Sequence, residues 1–154
     1  MIDLPDPSHD LATEVRVKLF RTAAMTGRVP QAPELSKALG RPESQVRAAL
    51  RQLAAARVVT LAPNDGEIWA ANPFCATPSG FRVSALGQVY WGICVWDALG
   101  IAAALDAAAD ITTCCGDCGA PMRLQVRDGT LSHAQGVVHF AVPARRWWDN
   151  IGFT

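Results

Sequence analysis

The sequence predicts an α+β protein with an N-terminal winged-helix-like module, residues 1–72, and an α+β core domain, residues 73–154. Two patterns predict this class. Three helical stretches precede a hairpin in the first half, and one apolar helix lies among antiparallel strands in the second. The 154 residues, 50% hydrophobic and 18% charged, can form one ordinary domain or two small ones, which excludes a disordered chain and a large multidomain protein.

Three helices are predicted in the first half. Apolar residues recur at helical spacing from Leu11 onwards, and Gly27 ends this first helix. The second helix runs from Pro33 to Leu39 and is closed by Gly40. The third opens at Pro42 and carries an apolar stripe along one face, so all three helices are expected to share a core.

A β-hairpin is predicted after the third helix, from Val58–Leu61 and Ile68–Ala71 around an Asn64–Gly66 turn. Three helices and a hairpin are the plan of a winged helix, in which Arg47 and Arg51 on the third helix would contact DNA. The 14 basic residues are balanced by 14 acidic ones, so no global positive field supports such binding. A packing role is therefore favoured over a DNA partner.

The second half is predicted to be one helix among strands. Phe81–Val83 is a short strand, Leu86–Ala108 an apolar helix, and Met122–Val126 a half-buried strand that ends at an Asp128–Gly129 turn. Val137–Val142 is predicted to form a further strand. Turns this short between strands favour antiparallel pairing.

The N-terminal sequence has no basic-then-apolar run of a secretory signal, so a cytoplasmic location is expected. Val83–Leu105 is long enough to cross a bilayer, but its polar residues and mid-span carboxylate favour a buried core helix, and no membrane association is expected. Five cysteines in such a chain indicate thiol or metal chemistry and not a disulfide framework.

Cys94 and Asp97 are the first candidate functional pair. Placed three residues apart on a helix, a thiol and a carboxylate reach the same ligand. The neighbouring Trp91 and Trp96 provide an apolar setting in which burial would raise the pKa of the carboxyl group. Two structural interpretations remain open, because a buried cysteine often serves as a small hydrophobe and an aspartate near a helix start often caps it.

Cys114, Cys115 and Cys118 form a second candidate cluster, since adjacent thiols suit a soft metal. Cys115 and Cys118 also stand at a zinc-like spacing from His133 and His139. His139 falls in a predicted strand where a zinc finger has a helix, so zinc is less favoured than a structural turn with incidental thiols.

Three segments together resemble the organomercurial (alkylmercury) lyase family. They are Tyr90–Leu99, Cys118–Met122, and Val138–Pro143 followed by the Trp147–Trp148 pair. The resemblance covers nearly the whole chain and implies a winged-helix-like module joined to an α+β catalytic core. The tryptophan pair is expected to be core or to cover a pocket.

The resemblance implies that Cys94 binds mercury as a thiolate while Asp97 relays a proton to the organic leaving carbon, with Trp91 and Trp96 as the apolar wall of the substrate pocket. The partner would be a small organomercurial, mercury(II) would be the product or ligand, and no cofactor would be required. Thiolate capture of a soft metal and a positioned acid beside the leaving carbon are sound chemistry for this reaction.

The resemblance also implies a second catalytic cysteine after the tryptophan pair, and the chain ends at Ile151–Thr154 without one, as a truncated chain would. Cys114, Cys115 or Cys118 would then have to supply the second thiol. Two other functions stay open: a winged-helix DNA-binding thiol sensor of metal, and a noncatalytic family member that binds soft metal.

Overall fold

Four α-helices and two antiparallel sheets form the part of the chain that the computed structural model describes, residues 10–133 and 136–151. This arrangement confirms the α+β class. The elements in chain order are α1 Leu11–Thr26, α2 Ala32–Leu39, α3 Glu43–Ala55, β1 Thr60–Leu61, β2 Ile68–Ala71, β3 Phe74–Cys75, β4 Phe81–Ala85, β5 Gln88–Gly92, α4 Val95–Leu105, β6 Ala109–Cys114, β7 Pro121–Arg127, β8 Thr130–His133 and a 3₁₀ helix Ala144–Asp149.

The ends of the first helices lie where local sequence signals predict them. Asp10 caps α1 by accepting the Ala12 N–H at 3.2 Å, and Gly27 ends the helix in the left-handed region. Gly40 ends α2 in the same way, and α3 begins at Glu43 directly after Pro42. Three of the predicted helix boundaries are thereby confirmed.

A three-stranded sheet in the order β1-β2-β3 follows the helices. The predicted hairpin is confirmed, and the Gln31 side chain joins it to the start of α2 through two hydrogen bonds with the Ile68 backbone, at 2.8 and 3.0 Å. Strand β3, Phe74–Cys75, lies beyond the expected domain boundary and pairs with β2. The division at residues 72 and 73 and the winged-helix assignment both stay predictions.

A five-stranded sheet in the order β5-β4-β6-β7-β8 forms the second half, with α4 packed on β4 and β5. Phe81 pairs with Gly92, Arg82 with Thr112, and Cys114 with Pro121. The end of β5, the start of β4, the end of β6 and the start of β7 therefore meet at one edge of the sheet. We call this the site edge, because Cys94 and the Cys114–Cys118 turn both follow strands that end there.

One hydrophobic core continues from the helices into the sheet. Tyr90 of β5 is fully buried and donates its hydroxyl to the Ala24 carbonyl oxygen of α1 at 2.7 Å. Gly27 permits this approach, because a Cβ there would collide with the Val89 carbonyl. Strand β5 is thus fixed against α1 on one side of the core and continues into Cys94.

The predicted helix Leu86–Ala108 is wrong at both ends. Leu86 and Gly87 form the tight turn between β4 and β5 with positive φ, and the helix occupies only Val95–Leu105 before Asp106 ends it in the left-handed region. A short apolar run does not distinguish a buried strand from a buried helix, and here β4, β5 and α4 follow one another as such runs. None of the described helices is both long and apolar enough for a bilayer crossing.

The predicted strand Val137–Val142 is also wrong. This segment has no strand, and Val137 is 95% exposed. It leads instead into the 3₁₀ helix that carries the tryptophan pair. A largely apolar run alone cannot supply a pairing partner, which a strand needs to satisfy its backbone groups. Part of the terminal Ile151–Thr154 segment lies outside the described residues.

Candidate active site

Cys94 and Asp97 meet at the junction of β5 and α4. Cys94 is not inside a helix, as the spacing argument assumed, but is the N-cap of α4 in an extended conformation, with Asp97 as the third helical residue. The Asp97 carboxylate accepts the Cys94 N–H at 3.3 Å, which is one half of a capping box. The same carboxylate oxygen, Oδ2, lies 3.5 Å from the Cys94 sulfur and accepts its S–H. Asp97 therefore both caps the helix start and lies next to the Cys94 thiol.

Gly92 allows the helix start to reach this position. A Cβ at Gly92 would lie 2.7 Å from the Ala98 backbone nitrogen and 3.1 Å from the Cys94 carbonyl oxygen. Both are backbone atoms, so no side-chain rotation would relieve the overlap. The absence of a side chain at Gly92 thus lets the first turn of α4 fold back over the end of β5 and bring Asp97 to the thiol.

Burial shapes the protonation of both groups. It raises the pKa of the Asp97 carboxyl above its usual range, against the opposing effect of the hydrogen bonds from Cys94. Burial also raises the pKa of the Cys94 thiol, and the negative charge of Asp97 adds to this increase. A thiol that keeps its proton next to a carboxylate with raised proton affinity forms a pair that can pass one proton between sulfur and oxygen.

The pair opens onto an aromatic cavity of about 220 Å³. Most of its wall is aromatic or aliphatic, and its lining residues are Asn72, Ile93, Cys94, Trp96, Asp97, Phe140, Trp147, Trp148 and Ile151. Trp96 is 64% exposed and forms part of the rim. The cavity is large enough for a small organic group and places that group against a thiol and a carboxyl.

The C-terminal segment supplies the wall opposite α4. The rings of Phe140 and Trp147 lie 4.9 Å apart, and the Trp147 indole N–H donates to the Val142 carbonyl oxygen at 2.8 Å. The Arg57 guanidinium lies over the Trp148 ring at 5.4 Å, a cation–π contact between the chain after α3 and this wall. The expectation that the tryptophan pair covers a pocket is met, but its pairing with Phe140 has no signal in the sequence.

Trp91 is not among the residues that line this cavity, although the sequence predicts it as part of the pocket wall with Trp96. Side chains alternate between the two faces of a strand. Tyr90 and Gly92 face the core and α4, so Trp91, between them, projects from the other face of β5, where its strand partner is Arg82. Of the two predicted tryptophans, only Trp96 lies at the cavity.

The second cysteine cluster lies at the site edge but outside the cavity. Cys114 ends β6, and Cys115 and Cys118 belong to the turn that leads to β7. All three are free thiols. Among the described residues no three His, Cys, Asp or Glu side chains are grouped as metal ligands, and the His133 side chain lies outside those residues.

Arg47 and Arg51 both lie on α3 but differ in their partners. Arg47 forms ion pairs with Glu43 at 2.7 Å and with Glu67 at 2.8 Å, so two carboxylates already neutralise its guanidinium. Arg51 is exposed. This face therefore carries less free positive charge than the sequence suggests.

Fold and site together define an α+β protein whose thiol and carboxyl share a small aromatic cavity. The family model described as MerB, alkylmercury lyase, matches residues 74–154, which is just over half of the chain. The chain belongs to this alkylmercury lyase family, as the motif resemblance predicted. No curated protein matches the sequence.

Among solved structures, the crystal structure of the mercury-bound form of MerB2 is similar, with a TM-score of 0.62 and 23% sequence identity. The alignment covers 86% of this chain and 61% of that chain. The present chain thus spans about three-fifths of the length of that relative, with which it shares the fold.

Proposed function

We propose that this protein cleaves carbon–mercury bonds of small organomercurials by protonolysis, with Cys94 as the mercury ligand and Asp97 as the proton relay. The observation that carries the proposal is the 3.5 Å contact between the Cys94 sulfur and the Asp97 carboxylate in the wall of the aromatic cavity. Membership of the alkylmercury lyase family supports the substrate class.

The first step is capture of the substrate. The Cys94 sulfur forms a bond to mercury and displaces the anionic ligand opposite the organic group, while the thiol proton moves to the Asp97 carboxylate. The aromatic side chains Trp96, Phe140 and Trp147 receive the organic group and keep water from it. A soft metal prefers the sulfur to any oxygen ligand in the cavity.

The second step breaks the carbon–mercury bond. Asp97, now neutral, donates its proton to the carbon, and the electron pair of the carbon–mercury bond becomes the new carbon–hydrogen bond. The hydrocarbon leaves, and mercury(II) remains bound to the Cys94 sulfur and the regenerated Asp97 carboxylate. The raised pKa of Asp97 suits this role, because a carboxyl that binds a proton more readily can hold the proton taken from Cys94 and then act as a general acid.

The test follows benzene released from phenylmercury by the full chain, in the presence of a small thiol that removes mercury from the product. Asp97→Asn keeps an oxygen to accept the Cys94 N–H but cannot relay a proton, so we expect phenylmercury to remain bound while turnover falls by about 10² to 10⁴-fold. Cys94→Ser should abolish both capture and release. The matched control is Cys114→Ser, because Cys114 is an exposed thiol outside the cavity.

In D₂O the released benzene should carry one deuterium, since the proton comes from an exchangeable acid. Wild-type benzene release at the background rate, with phenylmercury still held by Cys94, would refute the lyase proposal and leave the noncatalytic soft-metal binder. Equal release by wild type and Asp97→Asn would refute the relay. The DNA-binding metal sensor has no supporting observation, because Arg47 is paired with Glu43 and Glu67.

A further inference from the structure

We propose that the cavity beside Cys94 selects arylmercury substrates over methylmercury, and that Phe140 and Trp147 determine this specificity. The inference rests on the proposed cleavage reaction and goes beyond it, because it names the organic group that the protein accepts. Three observations carry it: the volume of the cavity, the aromatic side chains in its wall, and the contacts that hold this wall in place.

The reactive pair sets the direction of the organic group. Two-coordinate mercury(II) holds its two ligands in a line, so an organic group on mercury bound to the Cys94 sulfur points away from that sulfur. Cys94 and Asp97 lie at the start of α4, and the C-terminal segment forms the wall opposite this helix. The organic group therefore enters the space lined by Phe140, Trp147 and Trp148.

The volume of the cavity fits one six-membered ring. An engineered apolar cavity of roughly 150 Å³ is known to bind benzene, and the cavity beside Cys94 measures about 220 Å³. The larger volume leaves room for the mercury atom that the ring carries. A methyl group fills only a small part of this space, and the wall atoms that it does not reach gain no dispersion contacts from it.

Aromatic side chains in the wall favour a ring over an alkyl group. The ring centres of Phe140 and Trp147 lie 4.9 Å apart with 46° between the ring planes, a separation typical of attractive aromatic pairs. A substrate ring beside them adds a further pair of this kind. Each aromatic pair contributes about two- to tenfold in affinity beyond the burial of its area, and a methyl group has no ring with which to form one.

The wall is held by contacts within the protein. The Trp147 indole N–H donates to the Val142 carbonyl oxygen at 2.8 Å, and the Arg57 guanidinium lies 5.4 Å from the centre of the Trp148 ring. A wall that is positioned before the substrate arrives binds a ring at a low cost in conformational entropy. The same contacts oppose closure of the wall around a group as small as methyl.

The test compares how phenylmercury and methylmercury are retained by a full-length chain that does not cleave them. Asp97→Asn is combined with Cys114→Ser, Cys115→Ser and Cys118→Ser, so that the only other cysteine besides Cys94 is the buried Cys75. This parent variant is equilibrated with equal amounts of both mercurials in an excess of a monothiol, and the adducts are quantified by native mass spectrometry. Adding Cys94→Ser should remove both adducts, which locates them at Cys94.

The monothiol binds both mercurials through the same kind of sulfur–mercury bond, so the ratio of adducts relative to the monothiol reports the effect of the cavity. We expect the parent variant to prefer phenylmercury by about ten- to a hundredfold. Phe140→Leu and Trp147→Leu each remove a ring but keep an apolar side chain, and each should reduce this preference by about two- to tenfold. Met25→Leu is the control and should leave it unchanged, since Met25 is 76% exposed on α1 and does not line the cavity.

Equal retention of the two mercurials by the parent variant would overturn the aryl specificity. An unchanged preference in both Phe140→Leu and Trp147→Leu, with folding verified by circular dichroism, would overturn the assignment of these two residues. Because retention is an equilibrium measurement on a chain that does not turn over, it is independent of catalysis. A wild-type chain that cleaves neither mercurial would refute the cleavage reaction alone, so the two proposals can fail separately.

Discussion

Gly92→Ala tests the packing that brings the first turn of α4 onto β5. The added Cβ would lie 2.7 Å from the Ala98 nitrogen, 0.7 Å short of the 3.4 Å at which ordinary contact begins. Because the obstructing atoms are backbone, the whole turn must move, and we expect the free energy of unfolding to fall by about 2 to 3 kcal/mol. For a chain of this length that is a decrease of about 4 to 12 °C in Tm.

The assay is urea and thermal unfolding followed by circular dichroism, with Gly80→Ala as the matched control. Gly80 is exposed, and a Cβ there would meet nothing within 4 Å. The control should leave stability unchanged or raise it by up to about 1 kcal/mol, because alanine restricts the unfolded chain. Equal unfolding midpoints for Gly92→Ala and wild type would refute the claim that Gly92 sets the position of α4.

Three further predictions concern hydrogen bonding and protonation. Tyr90→Phe removes the donor to the Ala24 carbonyl oxygen and should lower the free energy of unfolding by about 1 to 3 kcal/mol in urea titrations, and no change would contradict the bond. Iodoacetamide should label Cys115 at a lower pH than Cys94, because the pKa of the Cys115 thiol is lowered and that of the Cys94 thiol is raised. Peptide mapping that shows Cys94 labelled at the lower pH would contradict this prediction. Hydrogen bonds from Arg28 and from the Gln31 backbone lower the pKa of Glu34 to about 2, so Glu34 stabilises the fold only while it is ionised. The difference in the free energy of unfolding between wild type and Glu34→Gln should therefore shrink as the pH falls from 4.5 towards 2. A difference that is constant over this range would show that the ion pair is not responsible.

The first half of the fold could be predicted because its boundaries are local. Gly27 and Gly40 end helices in the left-handed conformation that glycine allows, and the Asn64–Gly66 turn closes a hairpin whose strands flank it. Each signal acts within a few residues and needs no knowledge of the rest of the chain. Helix ends and tight turns of this kind can therefore be predicted without knowing the tertiary structure.

The second half was harder because several of its apolar segments fit both a strand and a helix. The turn at Leu86 and Gly87 separates two strands, of which the second was predicted as the start of a helix. Strand β6, Ala109–Cys114, was not predicted, and the expected helix ran to Ala108, directly before it. Only the pairing of strands distant in sequence distinguishes these alternatives. The Val137–Val142 prediction was wrong for a different reason, since a largely apolar run found no partner strand.

At the candidate site, the sequence spacing predicted the contact between Cys94 and Asp97 but not the cavity wall around them. Cys94 and Asp97 come together because the N-cap and the third helical residue are neighbours, just as residues one turn apart are. The cavity wall from Phe140 and Trp148 depends on how an irregular segment returns to the site edge, which has no periodic signal. Trp91 lies in the strand β5, which the sequence analysis predicted as part of a helix.

The cation–π contact between Arg57 and Trp148 has a consequence for how the protein can be divided. Arg57 follows α3, whereas Trp148 lines the chamber that Cys94 faces, and Asn72 contributes to the same lining. A shortened chain that starts at residue 73 would keep the thiol and the carboxyl but lose Asn72 and the support beneath Trp148. Residues from both halves of the chain therefore form or support the cavity, even though Cys94 and Asp97 both come from the second half.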